Sequence, residues 1–573
     1  MAAVLGVSAN YHDAAAALVV DGDVRVAIQQ ERLSRIKNDP ALPLEAAHAC
    51  LVHAGLRAEQ LDAVAFYERP FHKLERVMVS MLRNLPRSWR QFPRAMASQL
   101  GGNLWVLDHL AERLGVERKK VRCLEHHRTH AAAAAFTSPY EECAVLVLDG
   151  VGEQSSTTTW HANGTELRGL ESIDFPHSLG LLYAAITAWL GFAVNEGEYK
   201  VMGLAAWGTA GTDGLRESFE RLVTLRSDGA YHLHLPYFAH MSDANLGFGP
   251  RLEALLGPRR ATGKKWEFDD PADQHYADVA ATLQRVLEDA LLGLCQRLRQ
   301  QLPGVGALCL GGGVALNSVA NARLLRESGF DRVFVQPAAG DAGGALGAAI
   351  LASIELRDCR PEPMQSAALG YEVDTARAHG LATELGLRVE RVSDPATLAA
   401  TLIAQDKIIA VVRGRFEWGP RALGQRSVLA SPRARATRDR INHLIKQRES
   451  FRPFAPAVLE RNTSDFFEGE ANDMTPFMTT VLPIRSECAG QLGAVRHEDG
   501  TARVQTVCPQ SAPALNEVLT ALKASGHDPV ALNTSLNGPG EPIVAGAEDA
   551  LAFFMRHKVD SMLIEDLRID RPE

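Results

Sequence analysis

The chain has 573 residues, 46% of them hydrophobic and 23% charged, a globular balance that excludes disordered, collagenous and small disulfide-scaffold classes. Lys and Arg number 60 against 69 Asp and Glu, a net charge of −9, so no global basic field favours nucleic acid or an acidic membrane and a small-molecule partner is expected. At about 100–200 residues per domain the length corresponds to roughly three or four domain-sized units.

The first seven residues carry no basic stretch, and no run of 18 apolar residues is free of charge, so neither a signal peptide nor a membrane span is expected. Apolar residues 4–7 and 14–20 read as strands separated by a polar break at 8–13. Asp21-Gly22 is a hairpin turn signal, and residues 24–30 return as the next strand. Helical periodicity at 44–54, with Pro43 suited to a first turn, precedes a strand at 62–67. The order repeats less clearly with an apolar strand at 144–148, an Asp149-Gly150 turn and a Thr-rich strand at 156–161, predicting a duplicated ribonuclease-H-like fold.

A long helix over 276–301 leads to a strand at 307–310, stopped by Gly311-Gly312-Gly313, and a helical pattern resumes through Leu316, Val319 and Leu324. A strand at 332–336 ends at Pro337-Ala338-Ala339-Gly340-Asp341, before a small-residue helix at 343–354. Strand, glycine turn and helix twice over predict α/β architecture. Charged and Pro-containing sequence over 355–366 marks a boundary, dividing the chain into residues 1–355 and 367–573, the second an α/β or α+β unit with a strand at 408–412. The 8 cysteines are scattered without a C-x-x-C pair, which argues against a disulfide framework or structural zinc and fits a reducing cytoplasm.

Three constellations could carry chemistry. His126 and His130 are four apart at the start of an Ala-rich helix, so both imidazoles can reach one metal ion, although two ordinary histidines fit the same spacing. Asp149 and Asp341 each follow a strand or its turn, where open α/β sheets gather ligands, and either could equally cap a turn. The Gly311-Gly312-Gly313 turn with Asn317, and Gly340-Asp341-x-Gly343-Gly344, offer backbone amides and helix N-termini to a phosphate. Neither fits a Walker pattern, and no placed G-x-G-x-x-G exists. The third is Gly414-Arg415-Phe416-Glu417-Trp418-Gly419-Pro420-Arg421-Ala422-Leu423-Gly424, followed by Lys446-Gln447-Arg448-Glu449-Ser450-Phe451-Arg452-Pro453-Phe454. Its stiffly held guanidinium forks suit phosphate or carboxylate, or an ion-pair cluster at a domain interface.

The sequence resembles the O-carbamoyltransferases typified by nodulation protein U, the cephem carbamoyltransferase and the tobramycin carbamoyltransferase. The likeness rests on Asn10-Tyr11-His12-Asp13-Ala14, the 31–37 segment ending in Lys37, the histidine pair, Asp149-Gly150-Val151-Gly152-Glu153, the 197–204 segment, the glycine turns, Arg421, Arg452, the 502–507 segment with Arg503, and Leu532-Asn533-Thr534-Ser535. The chain departs from the family pattern at Gln29-Gln30-Glu31, Asn38 and Ala134. The resemblance implies an actin/Hsp70-type N-terminal domain joined to a YrdC-like domain. The latter makes carbamoyladenylate from carbamoyl phosphate and ATP, with Mg2+, and the former moves the carbamoyl group to a hydroxyl of a small natural product, as in antibiotic biosynthesis. It further implies His126, His130, Asp149 and Asp341 as ligands of a divalent metal, expected to be iron, that holds the adenylate phosphate. Lys37 and Ser178 would contact carbamoyladenylate, and Gly311, Gly312, Gly313 and Asn317 the nucleotide. Lys446, Arg421, Arg452, Arg503 and Asn533 would bind carbamoyl phosphate and ATP.

By the same resemblance His12 and Asp149 would face the acceptor, and an ordinary histidine pKa near 6.5 lets His12 take the hydroxyl proton at neutral pH; a turn histidine bonded to Asp13 is the competing reading. The competing functions are carbamoylation of a thiol and a nucleotide-binding regulator without transfer chemistry. A pure sensor does not need a second anion site. Residues 235–249 are a candidate acceptor segment. Acceptor identity and oligomeric state are not encoded legibly.

Overall fold

The computed structural model describes residues 2–572 except 86, 87, 90, 213, 240–246 and 450, so the centre of the candidate acceptor segment lies outside the described residues. Two five-stranded sheets share one topology. In the first, β1 (Ala3–Ser8), β2 (Ala15–Val20), β3 (Asp23–Gln29), β4 (Ala63–Phe66) and β5 (Val121–Cys123) lie in the order 3-2-1-4-5. The first three are antiparallel neighbours, and β4 and β5 continue parallel to β1. Asp21 and Gly22, at φ of 54° and 95°, make the two-residue turn between β2 and β3, the left-handed pair that matches strand twist.

The second sheet contains β6 (Glu142–Leu148), β7 (Ser155–Asn163) and β8 (Glu166–Asp174). After a small outlying hairpin of β9 (Val223–Leu225) and β10 (Tyr231–Leu233), it is completed by β11 (Ala307–Gly311) and β12 (Arg332–Val335). Its order, 12-11-6-7-8, is the first sheet's order read from the other edge, again with three antiparallel and two parallel strands. This duplicated ribonuclease-H-like arrangement is the actin/Hsp70-type α/β fold.

Two helices lie between the sheets, His126–Phe136 and Asp341–Arg357, both buried over most of their length. Small residues let them approach closely. A Cβ on Gly347 would sit 1.8 Å from the Thr129 carbonyl oxygen, and one on Gly6 of β1 would sit 1.9 Å from that of Ala345. The second helix starts at Asp341, two residues earlier than predicted, which places this carboxylate in its first turn. The helix expected through Leu316 is instead divided: residues Gly313–Leu316 form a 3-10 turn, and the Asn317 side chain caps the helix Ser318–Glu327 by accepting from the Ala320 N–H at 3.1 Å.

Residues 358–374 connect to a second unit of β13 (Arg388–Arg391), β14 (Ile409–Val412), β15 (Arg426–Ala430), β16 (Ala455–Leu459), β17 (Leu482–Pro483), β18 (Thr501–Ala502), β19 (Gln505–Val507), β20 (Val530–Ser535), β21 (Ser561–Ile564) and β22 (Leu567–Asp570). Eight of them form a mixed sheet, 13-22-21-14-15-20-16-19, with β17 and β18 paired separately. The strand predicted at 408–412 is β14, central in this sheet. The units meet through polar contacts: buried Arg32 donates to the Gly419 carbonyl at 2.6 Å, Arg35 to those of Ile543 and Pro542 at 2.8 and 2.9 Å, and Tyr140 to the Asp473 carboxylate at 2.7 Å. Among the described residues no helix is long and apolar enough to cross a membrane.

Candidate active site

His126 opens its helix without a side-chain cap from Glu125. Glu153 substitutes from a neighbouring loop, its Oε1 accepting the backbone N–H of His126 at 3.2 Å and of Arg69 at 2.6 Å. One turn on, His130 presents its ring to the same point. His126 Nε2 lies 3.1 Å from His130 Nε2 and 3.2 Å from Asp149 Oδ2, and Asp341 Oδ1 lies 3.7 and 3.6 Å from the two ring nitrogens. Candidate donor atoms of all four residues fall within 4.8 Å of one another.

One ring proton cannot serve three neighbours around His126 Nε2, whereas a cation satisfies two imidazoles and two carboxylates together; the donor set fits a divalent first-row metal. Burial works against a charged His126, but the Asp149 hydrogen bond and the Asp341 and Asp149 charges outweigh it and raise the ring to about 9. The reverse acts on Asp149, where burial is outweighed by the His126 bond and the neighbouring imidazoles, and its carboxyl is held below the usual range. His127 faces away, bonded through Nδ1 to Thr158 Oγ1 at 3.0 Å, and burial keeps it neutral.

Asp149 brings this cluster to the wall of a cavity of about 1400 Å³ lined by both units. His12 lines it too, in a left-handed turn with Asp13 at φ of 56°, its Nδ1 2.9 Å from Asp13 Oδ2. Its titration differs from the sequence expectation. Burial lowers it, but Asp13, Asp341 and Asp149 together raise it to about 9, so in the metal-free site it holds its proton at neutral pH. Lys37 Nζ lies on the cavity wall, donating to both Glu31 oxygens at 3.0 and 2.8 Å.

Ser178 stands behind the wall rather than in it. Its hydroxyl accepts from the Leu181 N–H and donates to the Asp149 carbonyl, both at 3.1 Å, so it caps the helix Leu179–Trp189 and fixes the Asp149 turn. The glycine triplet divides similarly. Gly313 and Asn317 line the cavity, but a Cβ on Gly312, at φ of 85°, would meet the Leu148 carbonyl at 2.1 Å, and one on Gly311 the His130 carbonyl at 3.0 Å. Those two glycines hold β11 against β6 and the histidine helix.

The opposite wall comes from the second unit and carries Arg421, Lys446, Arg448, Arg452, Arg503 and Asn533. Lys446 ends a π-helical turn, Asn442–Lys446, and its ammonium reaches Ser535 Oγ at 3.1 Å and Asn537 Oδ1 at 2.8 Å beyond β20. Arg452 lies 4.6 Å over the Tyr199 ring and 3.7 Å from Glu449, which Lys200 of the first unit holds at 2.8 Å. Burial pushes Arg421 down to about 10, Arg452 adding to the effect and Tyr199 opposing it. Lys446, Arg448 and Arg503 are lowered by burial and then by neighbouring cations. Crowded, desolvated cations of this kind are relieved by an anion. Arg448 stood inside the sequence run already singled out, and Tyr199 inside the 197–204 segment; nothing in their spacing marked them as facing a cavity.

The site sets a metal-type cluster and a cationic wall around one cavity. The sequence matches the carbamoyltransferase N-terminus family over residues 3–350 and the carbamoyltransferase C-terminus family over 400–571. It is 38% identical to an uncharacterised protein of Synechocystis (99% of this chain, 96% of that one) and 37% identical to the nodulation protein NolNO of Sinorhizobium fredii (96% and 78%). A shorter match, 34% identical, is to the 3'-hydroxymethylcephem-O-carbamoyltransferase of Amycolatopsis lactamdurans (48% and 51%). The chain belongs to the carbamoyltransferase family and is an enzyme of carbamoyl transfer.

Proposed function

We propose that the protein is an ATP-dependent O-carbamoyltransferase that moves the carbamoyl group of carbamoyl phosphate, through carbamoyladenylate, to a hydroxyl of a small natural product. The supporting observation is that the cationic wall and the Asp149–His12 wall face one continuous cavity. Residues 367–573 form the adenylate and residues 1–355 use it. Carbamoyl phosphate, ATP and water give carbamoyladenylate, phosphate and pyrophosphate. Lys446, Arg421, Arg452, Arg503 and Asn533 bind and orient the anionic reactants, supplying donors where charge gathers on phosphate oxygens.

In the second half-reaction the acceptor oxygen bonds to the carbamoyl carbon, the carbon–oxygen bond to the adenylate phosphate breaks, and AMP leaves. His12 Nε2, with Nδ1 held by Asp13, takes the hydroxyl proton in its neutral form, which a cation bound by Asp149 and Asp341 would favour by offsetting the carboxylate charges that raise its pKa. Lys37, Gly313 and Asn317 hold the adenylate, and Ser178 positions Asp149. His126, His130, Asp149 and Asp341 would hold the divalent metal, iron being suited to their mixed donors, which supplies positive charge to the departing phosphate.

Mass spectrometry of candidate alcohols incubated with protein, ATP and carbamoyl phosphate should show the gain of one carbamoyl group. AMP and pyrophosphate should appear only with carbamoyl phosphate present. Formation of ADP instead would overturn the proposal.

A further inference from the structure

Within the cationic wall stand two hydrogen-bond acceptors that the unprotonated oxygens of a phosphate cannot satisfy. Asn533 donates from Nδ2 to the Ala422 carbonyl at 3.1 Å and to Gln505 Oε1 at 2.8 Å, which fixes its amide and leaves Oδ1 buried without a partner among the described residues. His497 Nε2 is in the same position. Its tautomer follows from Thr501, whose hydroxyl owns one hydrogen. Thr501 Oγ1 lies 2.8 Å from Asp499 Oδ1, a carboxylate oxygen that only accepts, so that hydrogen is spent. Thr501 Oγ1 therefore accepts from His497 Nδ1–H at 3.1 Å, and Nε2 carries a bare lone pair.

The turn is closed by the His497 N–H to the Thr501 carbonyl at 2.8 Å and the Gly500 N–H to the His497 carbonyl at 3.1 Å, which holds the ring in place. Burial, opposed by Asp499 and assisted by Arg503, lowers the imidazole to about 4, so it is neutral at pH 7. His497, Arg503 and Asn533 line the same cavity.

A buried acceptor among phosphate-binding cations calls for a ligand that carries N–H beside its phosphate. We infer that His497 is a specificity-determining residue whose Nε2 accepts a hydrogen bond from the amino group of carbamoyl phosphate, with Asn533 Oδ1 as the second acceptor and Thr501 as the positioning residue. An acyl phosphate of the same shape, with methyl in place of amino, leaves both acceptors unpaired and is rejected. This inference rests on carbamoyl phosphate being the donor.

The test is calorimetric binding of carbamoyl phosphate, acetyl phosphate and inorganic phosphate to the full chain and to its His497→Leu and Thr501→Val variants. The wild type is expected to favour carbamoyl over acetyl phosphate by about 10-fold or more, and both variants to lose that preference while still binding inorganic phosphate. Imidazole 15N shifts should report Nδ1–H in the wild type and release of that tautomer in Thr501→Val while the backbone amide shifts of residues 497–501 keep the pattern of the closed turn, which separates loss of the tautomer from damage to the turn. If the wild type binds carbamoyl phosphate no better than inorganic phosphate, the donor assignment itself fails. If the wild type discriminates and both variants still do, His497 is not the reader. Loss of preference for ATP over ITP, with the carbamoyl preference intact, would assign the acceptor to the adenine amino group and overturn the inference.

Discussion

Single side chains carry the sharpest consequences of this site. Replacing both His126 and His130 by Ala removes two of four donors, and metal analysis should find the variant depleted relative to wild type; equal content would remove the site assignment. Under the proposed function Arg452→Ala deletes a charged contact to an anionic reactant and should cost about 2–4 kcal/mol, or roughly 30- to 1000-fold in rate, in AMP and product together. Added carbamoyladenylate should rescue Arg452→Ala and not the histidine variant. His12 gives a prediction with a sign. Its pKa is raised, so the base form is scarce at pH 7 and dominates only above about 9. An NMR titration of metal-free protein should find that midpoint near 9 in the wild type and lower in Asp13→Asn. A midpoint near 6.5 in both would dismiss the Asp13 pairing.

At the level of elements, the metal-type cluster depends on how closely two helices cross. Ala in place of Gly within a helix ordinarily gains up to about 1 kcal/mol. At Gly347 the new methyl would lie 1.8 Å from the Thr129 carbonyl, so the helices must part, and overpacking of this kind costs about 1–3 kcal/mol. Because one helix carries Asp341 and the other His126 and His130, Gly347→Ala should lower both Tm and metal content. Unchanged values of both would show that the crossing does not set the cluster. The same closeness explains why a glycine-rich sequence invites a phosphate-loop reading. Gly311 and Gly312 spend their missing side chains on protein backbone, and Gly313 alone of the three faces the cavity.

Across the whole molecule, the two units are tied by Arg32, Arg35 and Tyr140 around a shared cavity. In the proposed reaction an intermediate made at the cationic wall would reach the His12–Asp149 wall without leaving the chain. Mixing Arg452→Ala with the His126→Ala/His130→Ala variant should therefore restore little carbamoylated product, and AMP should appear as released adenylate hydrolyses. Restoration approaching wild-type rates would mean that the intermediate diffuses between molecules.

The sequence by itself determined the repeated strand patterns, the Asp21-Gly22 turn and the strand at 408–412. These follow from local periodicity and from the backbone demands of Gly and Pro, which act over a few neighbouring positions. Only the tertiary structure decided that Ser178 caps a helix behind the wall, that Asp341 begins a helix, and that the lift of the His12 pKa by its neighbour Asp13 is reinforced by Asp341 and Asp149, more than 100 residues away. His497 is the clearest case, because Arg496-His497-Glu498-Asp499-Gly500 reads as a charged surface turn. Its buried lone pair exists only because β18 and β19 carry that turn beside Arg503, and burial and hydrogen-bond saturation are properties of packed neighbours that no local pattern encodes.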